Sequence, residues 1–150
     1  MNSIQAKIIT TECVDDEYLM IFVDGIRLDK WLVNILGNND FLNLIPTWLG
    51  WLLDLKEQEY VWRKTSLCEC ETTILPILVC PDDLDFSCIV VVCEVEYINT
   101  LVQWKRIGID RTVFPTYIGK DIEWFENIPL LEFSRNQYEN CINKFIKSLD

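Results

Sequence analysis

"EVEYINTLVQWK", residues 94–105, consists of two β-prone runs joined by Asn99-Thr100. With those two residues as a hairpin turn, Ile98 faces Leu101, Tyr97 faces Val102, Glu96 faces Gln103, Val95 faces Trp104 and Glu94 faces Lys105. One face then collects Val95, Tyr97, Val102 and Trp104. The other collects Glu94, Glu96, Gln103 and Lys105. A slip of one residue would mix the two faces, so the pattern selects this register. Asn-Thr is a weaker turn pair than Asn-Gly, and the faces rather than the turn carry the expectation.

Outward from this hairpin the chain stays strand-rich. "FSCIVVVCEVEY" supplies the first arm and "LVQWKRIGID" the second. Before them, "TTILPILVC" is an apolar run broken by Pro76. Proline donates no ladder hydrogen bond, so this strand is expected at an edge or with a bulge there. "QEYVWRKTS", residues 58–66, alternates weakly and reads as a strand with Tyr60 and Trp62 on one face. Residues 3–13 and 18–24 read as two more strands, the second closed by the turn signal Asp24-Gly25. After the hairpin, "IPLLEF" reads as a last strand.

Helices are expected at three places. Asp29 is a candidate N-cap, Trp31, Leu32, Ile35 and Leu36 follow at helical spacing, and Gly37 stops the run. In "FLNLIPTWLGWLLDL", Pro46 suits the first turn of a second short helix with Leu49, Leu52 and Leu53 inward. Ser134 and Gln137 form a capping box. Behind it, Tyr138, Cys141, Ile142, Phe145, Ile146 and Leu149 recur at helical spacing, an amphipathic helix of about fifteen residues. The expected fold is α+β: an antiparallel meander packed by a long C-terminal helix, with short helices in the first half. At 150 residues, half of them apolar, the chain has the length and the apolar content of a single domain, 1–150.

Thirteen basic and twenty-four acidic residues give a net charge of −11. That argues against nucleic acid as a partner, because phosphate binding rests on Lys and Arg. It argues equally against an anionic membrane surface. It permits a cationic protein partner, and it also serves simply to keep an apolar-rich chain in solution. The start, "MNSIQAKIITTEC", lacks the basic and apolar regions of a signal peptide. "WLGWLL" and "CIVVVC" are far shorter than the ~20 residues of a membrane span. The expected location is the cytoplasm, where cysteines stay reduced.

The chemistry available is narrow. The chain has no histidine, which removes Ser-His-Asp and Cys-His nucleophile systems and His-bearing zinc sites. It has no glycine-rich phosphate loop of the G-x-x-x-x-G-K-[ST] form. Seven cysteines stand at 13, 68, 70, 80, 88, 93 and 141. Most read as buried thiols, with Cys88 and Cys93 inside one apolar run. Cys68, Cys70, Cys80 and Cys88 together offer four thiolates, but their spacing matches no common zinc motif. "CPDDLDFSC", residues 80–88, brackets Asp82, Asp83 and Asp85 with two of these cysteines. It lacks the central Gly of an EF-hand loop, and Pro with Asp is what a strand connection uses. No catalytic residue, cofactor site or metal site is expected. The candidates for partner binding are Asp82, Asp83 and Asp85, on a loop between strands, with Trp48 and Trp51 as aromatic anchors. For the two tryptophans the simpler expectation is core packing.

Two stretches, "IFVDGIRLDKWL" and "LPILVCPDDLDFSCIVVVCEVE", resemble in style the immunity proteins of bacterial polymorphic toxin systems, which are small, acidic, Cys- and Trp-rich α+β domains. Together the stretches cover under a quarter of the chain. The resemblance implies an intracellular, non-enzymatic protein that binds and neutralises a cognate toxin, in such systems often a basic nuclease domain. It assigns no contact residue. The alternative expectation is a structural or regulatory domain that binds a small ligand or self-associates.

Overall fold

A computed structural model describes residues 1–66, 71–112 and 118–149. The chain opens with β1 (Ile4–Thr11), β2 (Val14–Val23) and β3 (Ile26–Arg27), an antiparallel three-stranded sheet in the order β1-β2-β3. Ile4 lies opposite Val23, and Val23 opposite Ile26 across Asp24-Gly25. Both turn residues have positive φ, 51° and 81°, which a two-residue turn of primed type requires.

Helix α1 (Leu28–Leu36) follows directly and ends where Gly37 takes a left-handed φ of 68° and donates its N–H to the Val33 carbonyl. Asp29 does not cap it. It sits in the first turn with no solvent exposure, its carboxylate held by the Arg27 guanidinium. The second short helix expected from Pro46 is also replaced. Ile45–Pro46 forms a short strand, β4, and Thr47–Leu49 makes a single 3-10 turn closed by Gly50 at φ 75°. Leu49 and Leu52 are buried, but Leu53 points outward at 75% exposure.

Residues 58–66, expected as a strand, are helical. Helix α2 (Leu55–Thr65) starts at Asp54, whose side chain accepts from the Lys56 N–H at 2.8 Å. The cap and the good helix formers Lys56, Glu57, Gln58 and Glu59 outweigh the β preference of Tyr60, Val61 and Trp62. Tyr60, Val61 and Thr65 turn inward.

The second sheet is six-stranded and antiparallel. It comprises β4, β5 (Thr72–Val79), β6 (Val90–Ile98), β7 (Leu101–Asp110) and β8 (Ile122–Trp124) in that order, with β9 (Leu131–Ser134) also on β7. β8 pairs with the Gly108–Asp110 end of β7 and β9 with the Leu101–Trp104 end, so two short strands share one edge. Pro76 brings a bulge, the register shifting between Pro76 and Leu78. The β6–β7 hairpin has the expected pairs Ile98–Leu101, Tyr97–Val102, Glu96–Gln103 and Val95–Trp104. Beyond them a bulge intervenes, and Glu94 lies opposite Arg106 instead of Lys105. Arg106 makes two contacts to Glu94, at 3.2 and 3.0 Å, and Lys105 reaches Glu96 at 2.9 Å.

The C-terminal helix α3 (Arg135–Ser148) starts as expected, Ser134 Oγ accepting from the Gln137 N–H at 3.1 Å. Gln137 does not return the bond to the cap. Its Oε1 accepts from the Ile4 N–H of β1 at 3.1 Å, which ties the helix to the first sheet. α3 packs against β1 and against β7 and β9, so it joins both sheets over one continuous core. At the centre, Trp104 Nε1 donates to Tyr138 Oη at 3.3 Å, and Trp48 and Phe133 meet Tyr138 edge-on at about 6 Å. No helix of the described residues is long and apolar enough to cross a membrane.

Candidate functional site

The connection from β5 to β6, residues 80–89, is held at four points. The Leu84 N–H donates to the Cys80 carbonyl at 3.2 Å, and the Leu84 carbonyl accepts from the Leu53 N–H at 3.0 Å. Asp85 Oδ1 accepts from the Ser87 N–H at 2.9 Å and from its hydroxyl at 2.5 Å. The Phe86 N–H donates to Glu57 Oε2 at 3.3 Å, and the Phe86 ring stands edge-on to Tyr60. Leu84 has a φ of 51°, an uncommon backbone for leucine. Its side chain packs against the core, which offsets the strain.

The three aspartates therefore differ. Asp82 and Asp83 are exposed, whereas Asp85 is half-buried and occupied in shaping the loop. Cys88, expected to begin a buried strand, is also exposed, because β6 starts only at Val90. Cys80 is half-buried, and its sulfur, a carboxylate oxygen of Asp83 and the sulfur of Cys88 all lie within 4.8 Å of one another. The Ile89 amide favours the Cys88 thiolate, but slight desolvation, a hydrogen bond that the thiol donates to the Asp83 carboxylate, and the nearby Cys80 outweigh it and raise the thiol's pKa. Cys68 and Cys70 lie outside the described residues. Burial, helped by the Glu94 charge, pushes the Cys93 thiol well up, and burial against the pull of Lys144 pushes the Cys141 thiol to about 12, so these two behave as small apolar groups.

Of the two tryptophan candidates, Trp48 is interior, 1% exposed, with its Nε1 donating to Thr65 Oγ1 at 2.9 Å. It offers no anchor at the surface. Trp51 is half-buried against Tyr18, ring centroids 5.8 Å apart. The exposed apolar groups beside the loop are instead Leu53 and Leu55, at 75% and 71%, tethered to it through the Leu53–Leu84 backbone bond. Helical spacing had put Leu53 inward; only the Gly50 turn, with its left-handed φ, rotates it out. Glu57, beneath the loop, has its pKa raised chiefly by burial, and its Oε1 is buried with no hydrogen-bond partner among the described residues.

A second concavity of about 370 Å³ lies between the end of α1 and the β7–β8 edge. Leu36, Phe41, Ile109 and Phe125 line it, with the Arg111–Glu123 ion pair, 3.0 Å, on its wall.

No family model, no curated protein and no solved structure matches the chain. What the surface can do therefore rests on its own chemistry: two exposed leucines flanked by Asp54, Asp82 and Asp83, all exposed, on a backbone fixed to the sheet.

Proposed function

We propose that this chain is a cytoplasmic, non-enzymatic binding protein that neutralises a cognate bacterial toxin domain by covering a basic surface on it. The observation that carries the reading is the pairing of exposed Leu53 and Leu55 with exposed Asp82 and Asp83 in a chain of net charge −11. Burial of large apolar side chains supplies anchoring energy at an interface, while surrounding charge sets encounter rate and partner choice. A basic toxin domain, such as a nuclease, meets both requirements. The loop needs little ordering on binding, because backbone hydrogen bonds already hold it.

The test is association with candidate basic toxin domains taken from genes adjacent to the one that encodes this chain. Asp82→Asn is expected to slow association and flatten its salt dependence. Leu53→Ala with Leu55→Ala is expected to raise the dissociation rate about tenfold or more, without unfolding the protein. Unchanged rates in both variants remove this surface from the interface, and absence of binding by the unaltered chain rejects the toxin-neutralising reading.

The groove beside the Arg111–Glu123 pair favours a second reading, a regulatory domain that takes a small ligand with an apolar body and a polar end. Ile109→Trp, which fills the groove, would abolish ligand binding there and leave toxin binding intact.

A further inference from the structure

We propose that Cys80, Asp83 and Cys88 form a binding site for a thiophilic divalent cation of the zinc class. Their ligand atoms, two sulfurs and one carboxylate oxygen, already lie within 4.8 Å of one another. Tetrahedral zinc with bonds of about 2.3 Å to sulfur sets its sulfurs about 3.8 Å apart, so closure requires the sulfurs to approach by no more than about 1 Å. Two of the three groups are exposed and able to make such shifts.

The loop is built to converge these groups. The Leu84 N–H to Cys80 carbonyl bond folds the chain back, and the left-handed Leu84 follows Asp83 directly. Asp85 is taken up by Ser87 and Glu57 by Phe86, so these two carboxylates serve the backbone, whereas Asp83 lies against the thiols. Among the described residues no lysine or arginine forms an ion pair with Asp83. Ionising both thiols beside the carboxylate is unfavourable in a chain already at −11, and a divalent cation supplies the charge that offsets their repulsion. Binding releases the two thiol protons to solvent and involves no change of oxidation state. Three protein ligands leave a fourth position for water or a group from outside the loop. Composition alone weighed against metal here because the C-x2-D-x4-C spacing fits no familiar zinc pattern.

The inference rests on geometry and stands apart from the toxin reading, since the test uses the chain alone. Reduced, chelator-treated protein is titrated with Zn2+ by calorimetry and with Co2+ by absorption, in the unaltered chain and in a Cys68→Ser/Cys70→Ser background. Expected are about one ion per chain in both, a thiolate-to-cobalt charge-transfer band, and proton release that grows as pH falls. Cys80→Ser or Cys88→Ser should weaken binding by more than the ~10–100-fold typical of outer-shell losses, and Asp83→Asn by about tenfold. Asp16→Asn, an exposed carboxylate of β2 in the other sheet, should leave affinity unchanged. The proposal is overturned if the reduced chain binds no ion, if the cysteine variants bind as well as the unaltered chain, or if removing Cys68 and Cys70 abolishes binding. A Cys80–Cys88 disulfide in protein freshly isolated from the cytosol would overturn it as well.

Discussion

Asp29 illustrates how a single residue acquires a role from its partners. Its carboxylate accepts from Arg27 Nε at 3.0 Å, from Arg27 Nη2 at 2.6 Å and from the Asn43 N–H at 2.8 Å, with no solvent exposure. This bidentate pair joins β3, α1 and the segment that follows, and its geometry suits guanidinium rather than ammonium. Arg27→Met would leave a buried carboxylate without its counter-charge, and the expected loss is about 3–5 kcal/mol of unfolding free energy. Adding Asp29→Asn removes the orphaned charge while keeping an acceptor for Asn43, and should recover part of the loss. Urea unfolding of the two variants checks this; equal stability of single and double variants would show that the charge is not what matters.

At the scale of elements, the β6–β7 bulge explains why the hairpin departs from its simple register. Trp104 and Ile107 are both buried, yet they are three residues apart, which regular alternation cannot put on one face. The extra residue in β7 lets both point inward and turns Lys105 and Arg106 outward together. The two consecutive polar residues in "WKRI" carried this signal. Arg106 then lies over Trp124, 4.0 Å from the ring centroid, and ties β7 to β8. Deletion of Lys105 should convert the bulge to a regular ladder, keep Glu94 opposite Arg106, and forfeit only a solvent-screened ion pair with Glu96. The expected outcome is a folded protein with a small change in melting temperature. Loss of cooperative melting would mean that the bulge is required for the sheet itself.

For the whole molecule, buried acids of high pKa set the behaviour at alkaline pH. Burial raises Tyr18, Tyr60, Tyr97 and Tyr138 above 10.0, and Cys141 from 9.0 to about 12. Each is neutral when folded and ionises more readily when unfolded. Their contribution to stability is complete below the unfolded values and is lost as pH rises through the folded ones. Stability should therefore decline from about pH 9 upward, steeply once the tyrosines join, and Cys141→Ala should flatten the limb between pH 9 and about 12. Glu57, also raised, contributes in the same sense at lower pH: its share is present in acid and is lost as pH rises through its folded value. Denaturant midpoints measured across pH test both; an alkaline limb identical in Cys141→Ala would exclude that thiol.

Local signals sufficed wherever a pattern could be satisfied within one element or one hairpin. The Asp24-Gly25 turn, the Gly37 stop, the Ser134 cap and four pairs of the β6–β7 ladder follow from turn chemistry, left-handed backbone and two-fold alternation. The class, antiparallel sheet with a packed C-terminal helix, follows from the same periodicities. Of the candidate site, the acidic loop was legible as a strand connection, but its three aspartates were read alike, and only the fold separates exposed Asp82 and Asp83 from Asp85, which Ser87 occupies. What tertiary contacts alone decided is which groups face one another. Asp29 left its expected cap position for Arg27, Gln137 turned from its own helix to Ile4, and Leu53, expected inward, came out. Cys80 and Cys88 are separated by seven residues of sequence, and only the Leu84 turn brings their sulfurs toward Asp83. The physical reason is common to all four: a side chain bonds to whatever the folded chain brings within reach, and spacing along one segment carries no record of that neighbour.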